Sequence, residues 1–311
     1  MRNGTGSYNV GVGDRVLYES TTGEQNTAVG SECMFNNTTG SFNTAVGLIA
    51  LLNNTTGSYN VALGHQALRL GSAISNNVAT GFRALYNNTA SNNTAVGFEA
   101  GFSNTSGTDL TAIGYTSLRS NTTGAGNTAL GSNSLYTNTT GGNNLAIGIS
   151  PLYLNTTGSN NVGIGSGAIY SNTTGSNNVG IGYASLTNNT ASNNTAVGFE
   201  AALSNTSSTS VVAIGYQALR NNDGSQNVAV GFSCLSNQTN GSFNVAIGNN
   251  QQSGNFNGIS MIGINDTATA SNQMRFGSDT VVNGFVTSAV LTPNAYWDVF
   301  INGVARRILL G

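Results

Sequence analysis

A glycine that returns at a near-constant interval is the sequence feature that most constrains the fold of this chain. Gly30, Gly47 and Gly64 show the usual step of 17 residues, which shortens to 16 or 15 in a few places. A phrase close to Asn-Thr-Ala-Val precedes the glycine, as in residues 194–198. A fixed period of this length is typical of a solenoid, in which each coil contacts only its neighbours. The sequence therefore predicts an all-β parallel β-roll or β-solenoid of about 16 coils.

The composition excludes several classes of partner. Charged residues make up 6% of the 311 residues, lysine is absent and the net charge is −2, so no basic surface is expected to hold a nucleic acid. No apolar run approaches the ~20 residues of a membrane-spanning helix, which predicts no membrane insertion. The regular apolar positions argue against disorder, although Asn, Gly and Ser are abundant. We expect an elongated, polar-surfaced protein.

The three residues before each glycine predict a strand with two different faces. Bulky apolar residues occupy the position before the glycine, and Val or Thr the position two residues earlier. Side chains alternate along a strand, so these two columns share one face, which we expect to fill the coil interior. The opposite face is nearly always alanine or glycine, which suggests close packing against another subunit. The trimer-packing candidates are therefore Ala28, Ala45, Ala62, Ala95, Ala129, Ala196, Ala229 and Ala246.

The rest of each coil divides into two parts. After the glycine stands an aromatic residue in many coils, and leucine is common at the fourth position, which predicts a second short strand and two facing sheets. The Asn-Thr-Thr-Gly-Ser part, as in residues 172–176, carries turn chemistry and predicts a corner with asparagine ladders along the axis. Several corners also match the N-glycosylation acceptor pattern: Asn37, Asn54, Asn121, Asn155 and Asn172. Asparagine and threonine are the turn residues themselves, so these matches carry little weight.

These phrases resemble the head repeats of trimeric autotransporter adhesins, the YadA-like heads. The resemblance rests on Asn-Val-Ala-Val-Gly at 227–231 and Asn-Val-Ala-Ile-Gly at 244–248, and it covers roughly residues 9–263. It implies a left-handed parallel β-roll in which three chains pack side by side. The coil here is longer than in those heads, and its Asn-Thr-Thr-Gly corners look like those of phage and viral tail-fibre repeats.

The C-terminal part departs from the repeat. We predict a solenoid over 1–265 and a small β cap with a trimerisation role over 266–311, because Arg275 would enter the small column in a further coil. Asn302-Gly303 lies between two apolar stretches and predicts a hairpin, and Val281–Val286 predicts a second one.

No constellation of residues predicts catalysis, a cofactor or a metal. His65 is the only histidine, and Glu99 and Glu200 stand about six coils apart, too far to act as an acid and base pair. Cys33 and Cys234 stand in a column of small residues about twelve coils apart, so they are expected to be buried and unpaired. We predict that the protein is not an enzyme.

The leading functional hypothesis is a structural and adhesive fibre: a homotrimeric rod of a surface appendage or of a phage or virus tail fibre, acting outside the cell. Its expected partners are two further copies of the chain, a host-surface receptor or glycan, and an end-to-end partner at the N-terminal end. Two alternatives stay open, an extracellular filament and an ice- or polysaccharide-binding solenoid. The last would use the threonine row of the corners: Thr38, Thr55, Thr122, Thr139, Thr156 and Thr173.

Overall fold

A single parallel sheet runs the length of the solenoid. The computed structural model describes residues 4–277, 296–301 and 304–309, and these residues contain no helix. The solenoid strands are β1 (Val10–Val12), β2 (Thr27–Val29), β3 (Thr44–Val46), β4 (Val61–Leu63), β5 (Val78–Thr80), β6 (Thr94–Val96), β7 (Thr111–Ile113), β8 (Thr128–Leu130), β9 (Leu145–Ile147), β10 (Val162–Ile164), β11 (Val179–Ile181), β12 (Thr195–Val197), β13 (Val212–Ile214), β14 (Val228–Val230), β15 (Val245–Asn249), β16 (Ser260–Ile264) and β17 (Met274–Gly277).

Each strand pairs in parallel with the strands before and after it in the chain, without a shift in register. Ala28 lies opposite Ala45, and Ala196 lies opposite Ala213, so each column of the repeat becomes a straight row along the axis. The predicted all-β solenoid of about 16 coils with a spacing near 17 residues is confirmed. The predicted left-handed sense and the trimer remain predictions.

The repeated glycine is required by its backbone and by the next coil. Gly198 has φ of +136°, a conformation that residues with a side chain rarely adopt. A Cβ atom there would lie 2.3 Å from the carbonyl oxygen of Gly215, directly above it in the next coil. The glycine therefore recurs once in each coil because it makes a backbone contact with the next coil that only glycine permits.

The segment after the glycine is a run of turns, so the predicted second strand and second sheet are wrong. Thr116 and Leu118 have φ of 51° and 49°, and the equivalent residues of most coils share this left-handed conformation. Such a backbone cannot form a strand and normally costs about 1–2 kcal/mol per residue with a side chain. This conformation persists because the neighbouring coils hydrogen-bond to its backbone. The amide of Leu118 donates to Ser134 O at 3.0 Å, and that of Thr116 donates to Phe98 O at 2.9 Å.

The predicted assignment of the two strand faces is reversed. The alanine column points into the coil of its own chain, and these alanines are completely buried without any partner subunit: Ala28, Ala45, Ala62, Ala95, Ala129, Ala196, Ala229 and Ala246. They therefore cannot form the trimer contact. The bulky columns on either side point outwards.

The small column is explained by the leucine column of the same chain, which fills the narrow interior. Gly163 stands in the alanine column, and a Cβ atom there would lie 3.3 Å from Cγ of Leu152. At Gly180 the facing residue is Ile169, and an added Cβ would lie 2.6 Å from its Cγ1. Close packing does require a small residue, but the packing is within one coil.

Two asparagine ladders also lie inside the coil, which confirms the predicted ladders. In the corner ladder, Asn138 Nδ2 donates to Asn121 Oδ1 at 2.7 Å and to Gly141 O at 2.9 Å, and Asn155 Nδ2 donates to Asn138 Oδ1 at 2.8 Å. The second ladder stands just before the strands, where Asn144 Nδ2 donates to Asn127 Oδ1.

The five asparagines that match the glycosylation pattern all belong to the corner ladder and are fully buried, so their amides are inaccessible in the folded chain: Asn37, Asn54, Asn121, Asn155 and Asn172.

The solenoid continues one strand beyond the predicted boundary at residue 265. Strand β17 pairs in parallel with β16, and Arg275 lies opposite Met261 in the small column. Its guanidinium is accommodated because Nε donates to the buried carboxylate of Asp266 at 2.8 Å.

Further along, β18 (Tyr296–Ile301) and β19 (Val304–Leu309) pair antiparallel, which confirms the hairpin predicted around 302–303. The hairpin predicted at 281–286 lies outside the described residues, and the capping role stays a prediction.

The corner ladder generates a prediction about stability. Replacing Asn138 by alanine leaves the buried Oδ1 of Asn121 without a donor, so N138A is expected to lower the free energy of unfolding by about 1–3 kcal/mol. Guanidinium unfolding followed by circular dichroism measures it. The matched control is T157A, in the exposed position of a neighbouring corner, which should change stability by less than about 0.5 kcal/mol. Equal midpoints for the two variants would show that the ladder does not stabilise the coil.

Candidate functional site

The outward face of the parallel sheet is the first candidate surface. Along β1–β16 its two columns contain only Val, Ile, Leu and Thr with one Ser, and no charged residue. Val46, Leu130 and Ile262 are 40%, 42% and 50% exposed in the single chain. An uncharged, largely aliphatic strip of this length is unusual for a surface in contact with water only.

A second candidate surface begins directly after the glycine, where aromatic rings stack from coil to coil. His65, Phe82, Phe98 and Tyr115 form one run with centroids 5.1–5.4 Å apart. A second run contains Tyr183, Phe199, Tyr216 and Phe232. The in-register coils impose this stacking, and the predicted aromatic column is thereby placed on the surface.

A further aromatic column stands five residues after the glycine, and sequence reasoning missed it. Tyr136, Tyr153 and Tyr170 stack with centroids 5.1 Å apart and interplanar angles of 7° and 5°. Burial, and after it the neighbouring phenols of Tyr136 and Tyr170, raise the pKa of Tyr153. The signal was present in the sequence at a fixed offset, but arginine, threonine and leucine occupy the column in other coils and obscure it.

An open groove lies between the two aromatic columns where both are present. We call it the aromatic groove; it encloses about 290 Å³ and is lined by Phe98, Glu99, Tyr115, Thr116, Arg119, Asn133, Tyr136 and Tyr153. The first column contributes rings from two coils, and the second column contributes rings from the two coils that follow. The rings therefore stand diagonally across the groove rather than directly opposite one another.

Charged side chains lie in the aromatic groove and next to it. Arg119 Nε donates to Glu99 Oε2 at 2.7 Å, and Arg83 Nη1 lies 3.7 Å from Glu99 Oε1. The hydrogen bond to Glu99 raises the pKa of Arg119 further above its ordinary value. Two guanidinium groups share one carboxylate, which leaves this cluster with a net charge of about +1 in a chain whose net charge is −2.

The equivalent position near Glu200 repeats only part of this arrangement. Arg220 Nε donates to Glu200 Oε2 at 2.7 Å, and Gln217 Nε2 donates to the same oxygen at 2.9 Å. These two bonds, that of Arg220 first, lower the pKa of Glu200. Ser236 stands where Tyr136 stands in the aromatic groove, so one wall of rings is missing. Glu99 and Glu200 each bind arginine, in separate coils, and do not come together.

The remaining candidates occupy structural positions. Cys33 and Cys234 are buried and unpaired, as expected, and their Sγ atoms lie 3.3 and 3.4 Å from the carbonyl oxygens of Ala45 and Ala246. His65 lies at the end of an aromatic stack, with its ring 5.4 Å from that of Phe82. Within residues 4–277 and the hairpin strands, no group of three potential metal ligands occurs. The same described residues hold no helix that could cross a membrane.

The threonine row of the corners is bonded to the chain itself. Thr139 Oγ1 donates to Thr156 O at 3.0 Å, and Thr156 Oγ1 donates to Thr173 O at 2.9 Å. Thr38 and Thr122 make the same bond to the next coil. Each of these hydroxyl hydrogens is used within the solenoid, so the row offers fewer donors to an external surface than the sequence suggests.

A scan of protein-family models and a search of curated proteins find no match to this chain.

Burial of the two thiols generates a prediction about their reactivity. Burial raises the pKa of Cys33 and of Cys234 to about 12, so almost no thiolate forms at pH 8. We expect iodoacetamide to label neither cysteine in the folded chain, and to label both in guanidinium, as shown by mass spectrometry. The control is T157C, which places a thiol on an exposed corner and should be labelled within minutes. Equally rapid labelling of native Cys33 would contradict its position in the core.

Proposed function

We propose that the protein is a structural and adhesive fibre, a homotrimeric β-solenoid rod of a surface appendage or of a phage or virus tail fibre. The observation that carries the proposal is the uncharged outward face of the parallel sheet. The alanine column cannot hold the subunits together because it is buried inside the coil. The outward columns instead present aliphatic side chains that are exposed or half-buried along the rod.

The size of this face suits an interface between copies of the chain. A strip about three residues wide and sixteen strands long measures roughly 10 Å by 75 Å, or about 750 Å² per chain. A stable protein–protein interface buries about 800 Å² per partner. In a trimer the strip is shared between two neighbours, so residues beside it must also contribute to the contact. Identical coils at a common spacing also allow the ridges of one copy to fit another at every level, which an unrelated partner would not match.

The rod architecture favours an exposed, extracellular role. Backbone hydrogen bonds run along the axis from coil to coil, so a pulling force is shared by many bonds at each level. The corners and the segment after the glycine remain free to contact a receptor while the sheet face holds the subunits. End-to-end assembly at the N-terminal end remains an alternative, and electron microscopy that shows only short rods of uniform length would remove it.

Solution mass tests the assembly. Light scattering of the intact chain should give about three times the chain mass of 31.7 kDa. Aspartates on the sheet face should separate the subunits, because buried unpaired charges are strongly unfavourable in an interface. We therefore expect the double variant L130D/I214D to have the mass of one chain while its circular dichroism spectrum is unchanged.

The matched control adds the same two charges elsewhere. Thr123 and Thr157 lie in exposed corner positions, and T123D/T157D should keep the mass of the wild-type protein. A monodisperse wild-type monomer would refute the trimer, and separation by the control variant would show that the sheet face is not the contact.

Ice binding has weaker support, because the threonine hydroxyls donate to neighbouring coils. A full-length protein without thermal hysteresis at high concentration would remove this alternative.

A further inference from the structure

The aromatic groove combines the two kinds of contact that bind a sugar. A pyranose ring presents C–H groups on its faces and hydroxyls around its edge. The face of Tyr115 that is turned towards Ser132, and the edges of the other stacked rings, offer apolar surface to the sugar, while the polar groups beside them suit its hydroxyls. The groove supplies Phe98 and Tyr115 on one side, Tyr136 and Tyr153 on the other.

Phe98 and Tyr115 are the exposed rings of the aromatic groove, Tyr136 and Tyr153 are half-buried, and stacking holds all four in fixed orientations. Tyr115 is 56% exposed and stacks on Phe98 at a centroid distance of 5.4 Å. Tyr153 is held between Tyr136 and Tyr170. Because the coils hold these rings in place, a ligand loses little binding energy to ordering them.

The polar groups between the rings are arranged for an extended ligand. Glu99, Thr116 and Asn133 follow one another in successive coils along the floor, and Thr116 Oγ1 donates to Asn133 Oδ1 at 2.6 Å. Rings on the two sides are offset by two coils, roughly 10 Å along the axis. A chain of several sugars lying obliquely across the groove would contact both pairs of rings.

We propose that the aromatic groove binds a saccharide chain, and that it prefers sugars that carry a carboxylate. The preference follows from the two guanidinium groups of Arg83 and Arg119, which share the single carboxylate of Glu99. This inference rests on the proposed adhesive function, and it assigns that function to one group of coils instead of the whole rod.

The coils around Glu200 provide a natural comparison. They have the same first-column rings, Phe199 and Tyr216, and the same arginine–glutamate pair. They lack a ring at Ser236, and their one arginine is matched by one glutamate, so the local charge is about zero. We expect no saccharide binding there.

Isothermal titration calorimetry of the full chain tests the proposal with three defined hexasaccharides: hexagalacturonate, cellohexaose and chitohexaose. The wild-type protein should bind at least one of them, hexagalacturonate most tightly, and added salt should weaken that binding. Both Y115A and Y136A/Y153A should raise the Kd about tenfold or more, because the first removes the open ring face and the second removes the ring edges and hydroxyls on the other side of the groove. The control Y216A removes a ring from the same column at the comparison coils and should leave the Kd unchanged within about twofold.

Three results would overturn the proposal: no binding of any hexasaccharide by the wild-type protein at millimolar concentration, unchanged affinity in Y136A/Y153A, or an equal loss in Y216A. Tighter binding of a neutral hexasaccharide than of hexagalacturonate would overturn the carboxylate preference. Light scattering of the same samples separates this result from the fibre proposal. A trimer without saccharide binding would remove the aromatic groove alone, and a monomer that binds the sugar would remove the trimer alone.

Discussion

The in-register stacking of one coil on the next is the constraint on which the other features depend. Every coil hydrogen-bonds to its neighbours through the strand, through the turns after the glycine and through the corner. Because this stacking allows no shift, a residue type that suits one coil at a given position suits nearly all of them. The glycine column, the asparagine ladders and the aromatic stacks are all consequences of this condition.

Stacking also stabilises conformations that would be unfavourable in isolation. Leucine with φ near +50° occurs in coil after coil, where its side chain fills the core and its amide donates to the next coil. Buried asparagines would be costly without partners, yet each side chain in an unbroken ladder finds one above and one below. Where Gly71 interrupts the corner ladder, Oδ1 of Asn54 is left without a donor.

The division of surfaces follows from the narrow interior. The core holds a leucine wall against an alanine wall, so the larger strand residues must face outwards. That leaves an aliphatic strip suited to self-assembly and, on another part of the coil, the polar and aromatic positions suited to a ligand. The proposed rod and the proposed saccharide groove thus use different columns of the same repeat.

The sequence by itself determined the period, the parallel solenoid, the strand at Asn-Thr-Ala-Val, the asparagine ladders and the burial of Cys33, because each is a property of a repeated column. It also placed a hairpin on either side of 302–303, because that turn is local.

Only the tertiary structure decided which face of the strand is inside. The alternation of side chains along the strand shows that the two faces differ, but not which of them faces the core. Ala196 could be small because a neighbouring subunit packs against it or because a leucine of its own coil does. The tertiary structure also decided that the leucine segment is a turn, because its left-handed residues are stabilised by bonds to other coils. The aromatic groove was undetectable for a related reason: Tyr115 and Tyr136 belong to different coils and different columns, and only the stacking of the coils brings them together.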